Sequence, residues 1–332
     1  MKLITVGENE ANQRLDRFLG KYMDKAPRSF FYKMLRKKNI TLNKKRADGS
    51  ERLQVGDEIS LFLSEETIEG FRTQRVYSKV KRYGSVPKLD ILYEDEHILL
   101  LNKPAGLLSQ KARPEDVSLV ELLTDYLLES GQITEEELES FRPGVCSRLD
   151  RNTSGIVSAG KSLAGLQAMN ELVRGHGVCK LYRCVVAGCV LQGQRVEGWL
   201  RKDGRTNQVR IFGEEQVGSQ YICMGYTPLE TLALGEMPCT CLEVQLITGR
   251  SHQIRAHLAS MGYPLLGDSK YGDAGVNRYV GERFGLRYQL LHAFRLEFPE
   301  LKGTLGSLSN RKFMAPLPGV FQRVLEDGRE GR

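Results

Sequence analysis

The order of helix and strand patterns beyond residue 90 constrains the fold more than any other feature of this sequence. Short apolar runs predict strands at residues 98–102, 145–149, 156–159, 181–190, 242–247 and 294–298. Apolar residues at helical spacing predict helices at residues 118–128 and 162–173. A doubly wound parallel sheet needs a helix between successive strands. The pattern therefore argues against that class and favours an α+β fold.

A smaller unit with a different pattern precedes this region. It opens with two predicted helices, of which the second starts around Pro27 with Ser29 as its N-cap. Their apolar positions recur at helical spacing, first at Leu15, Phe18, Leu19 and Tyr22 and then at Phe30, Phe31, Met34 and Leu35. Strands are predicted at residues 40–43 and 58–63. The unit has about fifty residues, which is enough to fold alone.

The stretch between the two patterns is predicted to be a linker. Residues 64–90 mix charged and small residues without a clear period. A chain of 332 residues also fits two domains of about 100–200 residues each. We therefore expect a first domain at residues 1–70, a linker at residues 71–90 and a second domain at residues 91–325.

The positive charge of the chain is concentrated in the first unit. The whole chain has 48 Lys and Arg against 41 Asp and Glu, a net charge of +7. Residues 13–62 contain 13 basic and six acidic residues, so their surplus of +7 equals that of the whole chain. Such a surplus favours a polyanionic partner, because each phosphate contact releases condensed counterions. A solvated basic face without a partner is the alternative.

Several classes of protein are disfavoured. No apolar run approaches the roughly 20 residues of a membrane span, and acidic residues arrive too early for a signal segment. We therefore expect a cytoplasmic protein without a membrane partner. The seven Cys form no C-x-x-C pair, and His252 and His257 are five residues apart, where two zinc ligands on one helical face need four. We expect reduced thiols and no metal.

Four segments of the first unit, in order, resemble an S4-type RNA-binding module. They are residues 12–19, 28–29, 44–46 and 55–59. The resemblance implies a structured RNA as the partner, recognised more by its shape than by its bases. It also implies one basic face on the second helix and the following strand, formed by Arg28, Lys33, Arg36, Lys37, Lys44 and Lys45.

Residues 148–155, Arg-Leu-Asp-Arg-Asn-Thr-Ser-Gly, are the most informative segment of the chain. The predicted strand would bring Arg148 and Asp150 to the same face, since side chains alternate along a strand. The following Asn152 to Gly155 have the composition of a turn. The carboxyl group of Asp150 is therefore expected at the end of a strand.

Together with residues 152–155, Arg-Leu-Asp-Arg resembles the signature of the RluA-type pseudouridine synthases, which include RluA, RluC and RluD. Further blocks match that family in order, at residues 94–98, 102–106, 180–183, 248–257, 262–268 and 271–272. The likeness extends over about residues 90–320. An S4 module ahead of it is the arrangement of the RluC and RluD branches.

The resemblance implies a mixed, mainly antiparallel sheet flanked by helices, with the active-site cleft across it. It implies isomerisation of uridine to pseudouridine in structured RNA, without metal or other cofactor. Asp150 matches the family's nucleophile, Arg255 the arginine that pairs with it, and Tyr182 the tyrosine that stacks on the flipped base. Arg250 is the alternative to Arg255 if the alignment of the late block shifts. Arg148 matches the arginine that fills the space left by the flipped nucleotide.

Simpler interpretations exist for each residue. Asp150 fits a turn carboxylate, Tyr182 a core aromatic and Arg255 a charge on a helix surface. For His252 and His257, a hydrogen bond at a helix start or an RNA contact suffices. Taken together and in order, the residues favour the catalytic interpretation.

Two positions depart from the common family pattern. Ser147 stands where His usually precedes Arg-Leu-Asp, and Ser109-Gln110 stands where a hydrophobic residue and His are frequent. Neither is the expected nucleophile. Either is expected to alter packing beside the flipped base.

Three functions compete at this point. The first is an RNA pseudouridine synthase, with large-subunit ribosomal RNA as the first expectation and transfer RNA as an alternative. The second is a non-catalytic RNA-binding or ribosome-assembly protein. The third, a hydrolase of small nucleotides with an Asp nucleophile, leaves the basic first unit unexplained. A monomer is the default expectation.

Overall fold

The computed structural model describes residues 1–73 and 88–331. Most of the predicted linker, residues 74–87, lies outside these ranges. The described residues fall into two units, one on each side of this gap. Each unit has its own sheet and its own hydrophobic core.

The first unit packs two amphipathic helices on a four-stranded sheet. Its strands are β1 (Lys2–Thr5), β2 (Ile40–Leu42), β3 (Lys45–Arg46) and β4 (Glu58–Leu61). Its helices are α1 (Leu15–Tyr22), α2 (Arg28–Arg36) and α3 (Glu65–Gly70). The sheet order is β1-β4-β2-β3. The apolar positions that predicted the first two helices pack into one core around Leu15, Phe18 and Leu19.

Two local predictions for this unit were wrong. Helix α2 is preceded by Pro27 as its N-cap, and Ser29 lies inside the first turn. Proline fits here because its fixed φ and missing N–H cost nothing where the helix has not yet begun. The aperiodic stretch after residue 63 contains α3, whose N-cap Ser64 accepts a hydrogen bond from the Thr67 N–H.

The second unit is built on an eleven-stranded sheet, counted over the described residues. Its strands are β5 (Ile91–Glu94), β6 (Ile98–Lys103), β7 (Gly144–Val145), β8 (Ser154–Gly160), β9 (Cys179–Ala187), β10 (Gln194–Lys202), β11 (Val209–Phe212), β12 (Gln220–Leu234), β13 (Met237–Leu246), β14 (Leu291–Glu297) and β15 (Lys312–Met314). Its helices are α4 (Leu119–Glu129), α5 (Leu163–Arg174), α6 (Gln253–Ser260), α7 (Ala274–Phe284) and α8 (Gly319–Glu330).

The main sheet is mixed and mostly antiparallel. Its order is β11-β10-β12-β13-β9-β14-β8-β6-β5, with β15 beside β14 and β7 beside β8. Strands β14 and β8 run parallel, whereas the other paired strands of the described residues run antiparallel. This confirms the α+β fold class. The short apolar run at the start of β6 is fully buried, as a central strand requires.

The predicted strand at residues 145–149 was wrong beyond Val145. The Ser147 hydroxyl takes the place of a strand partner by accepting the Ser158 N–H at 3.2 Å. The Ser109 hydroxyl accepts the Leu149 N–H and donates to the Leu149 carbonyl. Because side chains satisfy these backbone groups, residues 146–153 form a loop between β7 and β8, and Arg148 and Asp150 lie on that loop.

The long hairpins from β10 to β13 were also largely missed by sequence reasoning. Only the end of β13 was predicted. Strand β12 runs for 15 residues and mixes buried and exposed positions irregularly, with a break in register between Pro228 and Glu230. Such a pattern has no clean period of two, so it did not indicate a strand.

The two units touch at the end of β8 that lies away from Asp150. The Asn9 side chain accepts the Leu163 N–H at 3.1 Å, and the Ser140 hydroxyl bonds Glu10. Arg142 and Asp24 form an ion pair at 3.6 Å. Since β8 runs from Ser154 to Gly160, about 20 Å of strand separates these contacts from the Asp150 loop. No helix of the described residues is long and apolar enough to span a membrane.

Candidate active site

One cleft collects the sequence-predicted residues of the second unit. Its volume is about 810 Å³. The loop after β7, the start of α6 and strand β9 form its walls. The predicted residues that line it are Arg148, Asp150, Tyr182, Arg250, His252 and Arg255.

Arg255 on α6 joins two carboxylates. Its Nη1 donates to Asp150 Oδ2 at 2.9 Å, while its Nε and Nη2 donate to both oxygens of Asp268 at 2.7 and 2.8 Å. The Asp268 side chain is fully buried, and that of Asp150 is 25% exposed. The inner carboxylate therefore holds the guanidinium plane in place, and the outer one remains open to the cleft.

The charges of this triad reinforce one another. Burial acts to lower the pKa of Arg255, but the hydrogen bonds and charge of Asp268, together with the charge of Asp150, raise it above its ordinary value. Burial likewise acts to raise the pKa of Asp268, but Arg255 holds it below its usual range. Arg255 is thus a permanent cation against Asp150.

His252 completes the wall beside Asp150. It is the N-cap of α6 and has a left-handed backbone with φ of 56°. Its Nδ1 lies 2.8 Å from the Tyr271 hydroxyl, and its Nε2 lies 4.0 Å from Asp150 Oδ2. The Tyr271 hydroxyl also accepts the Val209 N–H. Burial lowers the pKa of His252, which favours the neutral ring, although Asp150 opposes that effect.

Tyr182 lies on β9 and faces the same cleft. Its side chain is largely buried, and its neighbours on the sheet include Val244 and Ala293. Burial, with a further contribution from the charge of Asp150, raises the pKa of its phenol. The ring is therefore a neutral aromatic surface at physiological pH.

The loop that carries Asp150 is fixed from below by two side chains. Lys103 is fully buried and donates to the carbonyls of Pro104, Leu107 and Arg151 at 2.8–3.0 Å. Burial lowers its pKa to about 7, and Asp150 opposes that shift. Ser109 adds its two bonds to the Leu149 backbone.

Strand β14 holds the other end of the same loop. Gln289, just before the strand, donates to the Thr153 hydroxyl at 3.1 Å. His292 lies 2.8 Å from the Ser154 hydroxyl through Nδ1 and 3.4 Å from the Ala315 carbonyl through Nε2. The carbonyl can only accept, so this network assigns the ring proton to Nε2. Asp150 is therefore presented on a loop held at both ends.

The structure does not bring the basic residues of the first unit into this cleft. Arg28, Lys33, Arg36, Lys37, Lys44 and Lys45 are all exposed, on α2 and around β3. Their role in RNA binding stays a prediction. His257 is buried on α6, its Nδ1 has no hydrogen-bond partner among the described residues, and burial lowers its pKa.

Sequence reasoning missed several residues of the site. Asp268 and Tyr271 lie in the late block that carried the family resemblance, and Lys103 lies in the first block, so their positions were visible without their roles. Ser109 was visible only as a departure from the family pattern, which did not indicate its two bonds to the Leu149 backbone. Gln289 had no signal, because it acts through a single contact to a distant side chain.

The thiol and metal predictions concern residues across the chain, of which Cys146 and His252 line the cleft. All seven Cys are free, of which Cys184, Cys223, Cys239 and Cys241 are buried. Cys189 is exposed and so is not a core thiol. Within residues 1–73 and 88–331, no three His, Cys, Asp or Glu side chains are grouped as a metal site would require.

Comparisons with known proteins identify the class. Residues 97–260 match the RNA pseudouridylate synthase family, and residues 13–59 match the S4 domain. Residues 97–260 are thereby identified as a domain of the RNA pseudouridylate synthase family, whose members are isomerases, and an S4 RNA-binding domain lies ahead of it. This confirms the resemblance seen in the sequence.

Individual relatives cover the whole chain. Ribosomal large subunit pseudouridine synthase C of Escherichia coli O157:H7 is 29% identical, over 100% of this chain and 98% of the relative. The protein of the same name from Salmonella typhimurium is 28% identical, over 98% and 96%. The solved structure of human RNA pseudouridylate synthase domain containing 4 is 22% identical, with a TM-score of 0.55 over 72% of this chain and 93% of the human one. The last likeness supports the fold.

Proposed function

We propose that this chain converts specific uridines of large-subunit ribosomal RNA to pseudouridine, acting in the cytoplasm with Asp150 as nucleophile. The observation that carries the proposal is the fork of Arg255, which holds one carboxylate buried and presents the other in a cleft beside Tyr182. The names of the full-length relatives support ribosomal RNA as the substrate. Transfer RNA is the alternative.

The proposed reaction is an isomerisation. Asp150 attacks the target nucleotide while the bond between the ribose C1′ and the uracil N1 breaks. The uracil turns within the cleft and its C5 bonds to C1′ as the bond between Asp150 and C1′ breaks, which regenerates the carboxylate. C5 then loses its proton and N1 gains one. No atom is added or removed in total, so the reaction consumes no co-reactant.

The surrounding residues have separate tasks in this proposal. Arg255 pairs with the Asp150 carboxylate and orients it, because the guanidinium is itself held by Asp268. Tyr182 stacks on the uracil after the nucleotide has flipped out of its helix. Burial raises the pKa of its phenol, so the phenol is protonated. Tyr182 can therefore assist loss of the C5 proton only as a relay, in which its oxygen accepts that proton while its own proton passes to another acceptor. Arg148 and Arg250, both exposed at the mouth of the cleft, contact the RNA around the vacated position.

The substitution Asp150→Asn tests the nucleophile. We expect no pseudouridine in transcribed large-subunit RNA, measured by primer extension after carbodiimide treatment, while RNA binding in a filter assay stays within about twofold, since a single carboxylate makes a small part of the interface. Asp327→Asn, which removes only an ion pair with the exposed Arg283 outside the cleft, is the control and should retain activity. Full activity of Asp150→Asn would refute the assignment.

The target is tested in cells. Pseudouridine positions in total RNA are compared between cells with and without this protein, and we expect losses confined to large-subunit ribosomal RNA. Losses confined to transfer RNA would contradict the proposed substrate.

The domain boundaries at residues 1–70, 71–90 and 91–325, and the monomeric state, are also proposals. The four-stranded unit that ends with α3 and the strand β5 that starts at Ile91 support the two outer boundaries of the linker. Sedimentation velocity of the full chain tests the monomer.

A further inference from the structure

Three aromatic side chains form a row across one face of the main sheet. Phe212 on β11 is directly opposite Trp199 on β10, and Trp199 is directly opposite Tyr221 on β12. The rings of Trp199 and Tyr221 lie edge to face with their centroids 5.8 Å apart. We call these three residues the aromatic row.

The aromatic row lies on the face that the core does not use. The alternate residues Leu200 and Ile222 point to the other face, where they pack with Ala256 of α6. Trp199, Phe212 and Tyr221 belong to no hydrophobic cluster of the described residues, and Tyr221 is 40% exposed. Large aromatic rings outside the core, aligned on adjacent strands, indicate a contact surface.

The charges around the row favour a polyanion. Residues 194–212 contain five basic and two acidic residues, a net charge of +3. Arg201 lies over the Phe212 ring at 5.1 Å and is directly opposite Arg210. Like charges in such a position destabilise a sheet, and the exposed Asp203 of the turn offsets part of this repulsion at Arg210. The acidic Glu197 on this face is already engaged by Arg195 at 3.1 Å and by the Tyr221 hydroxyl.

The aromatic row is also close to the cleft. Lys202 and Asn207, at the two ends of the turn between β10 and β11, line the cleft from the opposite face of this hairpin. Trp199 is three residues from Lys202, or about 10 Å along the strand. Since β11 is the edge of the sheet, an RNA strand leaving the cleft can pass around the turn, by the exposed Arg205, onto the outer face.

We propose that the aromatic row is a second RNA-binding surface, on which unpaired bases flanking the target nucleotide stack while Arg201 and Arg210 contact their phosphates. This inference rests on the proposed function in that it takes the substrate to be RNA. Aromatic rings beside arginines suit single-stranded RNA, because every base has a face that can stack and every nucleotide has a phosphate.

Trp199 is the only tryptophan of the chain, so its fluorescence reports on this surface alone. The full-length protein is titrated with short single-stranded oligoadenylate, which contains no uridine and cannot be converted. We expect quenching of the Trp199 emission, with the affinity reduced about 10-fold by Tyr221→Leu and by Arg201→Gln, as loss of one stacked base or one phosphate contact predicts. Arg278→Gln, an exposed arginine on α7, is the control and should leave the affinity unchanged.

Unchanged Trp199 emission while fluorescence anisotropy shows that the same RNA binds would overturn the proposal. A second result would also overturn it. If the Trp199 emission without RNA depended on protein concentration, and Tyr221→Leu abolished this dependence and changed the sedimentation, the aromatic row would bind a second copy of the chain instead. Because oligoadenylate is no substrate, either result is independent of whether the protein forms pseudouridine.

Discussion

The guanidinium of Arg255 shows how a single residue orients two carboxylates of the cleft. It is shared between a fully buried carboxylate, Asp268, and a partly exposed one, Asp150. A lysine has no planar fork and could not hold both carboxylates in fixed directions. The ion pair between Arg255 and Asp268 therefore orients the carboxylate of Asp150. The desolvation cost of burying Asp268 is offset by the backbone N–H groups of Lys270 and Tyr271, which donate to it.

At the scale of single residues, we predict that Asp268→Asn lowers both the free energy of unfolding and the activity. The amide keeps the shape of the carboxylate but removes the charge that fixes Arg255, so we expect a loss of about 3 kcal/mol in the free energy of unfolding. Urea denaturation measures this. Asp327→Asn, which removes a bidentate ion pair with the exposed Arg283, is the control and should cost much less. Equal losses in the two variants would contradict the prediction.

At the scale of secondary-structure elements, the position of Asp150 depends on several strands together. The loop at residues 146–153 has its own turn residues, but its ends are held by Lys103 on β6 and by Gln289 and His292 beside and on β14. Strand β14 is the one that runs parallel to β8, with His292 directly opposite Ser154. The parallel pairing thus brings a buried polar side chain under the loop that carries Asp150, where it must be hydrogen-bonded to be tolerated.

The buried His292 predicts a pH dependence of stability. Burial lowers its pKa to about 4, whereas an unfolded histidine titrates near 6.5. The unfolded state therefore binds the proton first as the pH falls, and stability present above pH 6.5 is lost between pH 6.5 and 4, by up to about 3 kcal/mol. Urea denaturation at several pH values measures this slope.

The variant His292→Asn should flatten the slope below pH 6.5 without removing it, because the buried His257 contributes in the same direction. His176→Asn, at an exposed position, should leave the slope as it is. Parallel slopes for wild type and His292→Asn would show that His292 does not titrate differently in the folded state.

On the scale of the whole molecule, the surplus of basic residues and the candidate active site lie in different domains. The basic surplus lies in the S4 domain, which contacts the synthase domain at the far end of β8. The candidate active site has arginines at particular positions instead, since Arg148, Arg250 and Arg255 line the cleft. An RNA that reaches both must span at least the length of β8, about 20 Å, which favours a large structured substrate over a small nucleotide.

We predict that the S4 domain supplies much of the salt dependence of RNA binding. The triple substitution Lys33→Gln, Arg36→Gln and Lys37→Gln removes three exposed charges on and after α2, so the slope of log K against log salt should fall by about 2 to 3. Filter binding of large-subunit RNA between low and physiological salt measures the slope.

The matched control carries Arg278→Gln, Lys302→Gln and Arg323→Gln, three exposed positions of the synthase domain, and should keep the slope. An unchanged slope in the α2 variant would contradict the role of this face. Substitution is preferable to deletion of residues 1–70, because deletion would expose the surface that Asn9, Glu10 and Asp24 cover.

The sequence was informative where the signal is local and repeated. Helices α1, α2, α4 and α5 were predicted from apolar spacing, and the buried strand β6 from its apolar run. The order of motif blocks identified the family and gave Asp150, Tyr182 and Arg255, which the structure brings into one cleft. The hairpins from β10 to β13 were largely missed, because their exposed aromatic and buried polar positions break the simple period.

Local chemistry in the chain thus accounts for the two-unit organisation, the α+β class, the basic first unit and the reaction class. Other features depend on residues that are far apart in sequence. The pairing of Asp150 with Arg255 spans 105 positions, and that of Ser154 with His292 spans 138. Which residues support the loop of Asp150, and which aromatic rings remain outside the core, follow from strand order and register, because neither is encoded by the spacing of neighbouring residues.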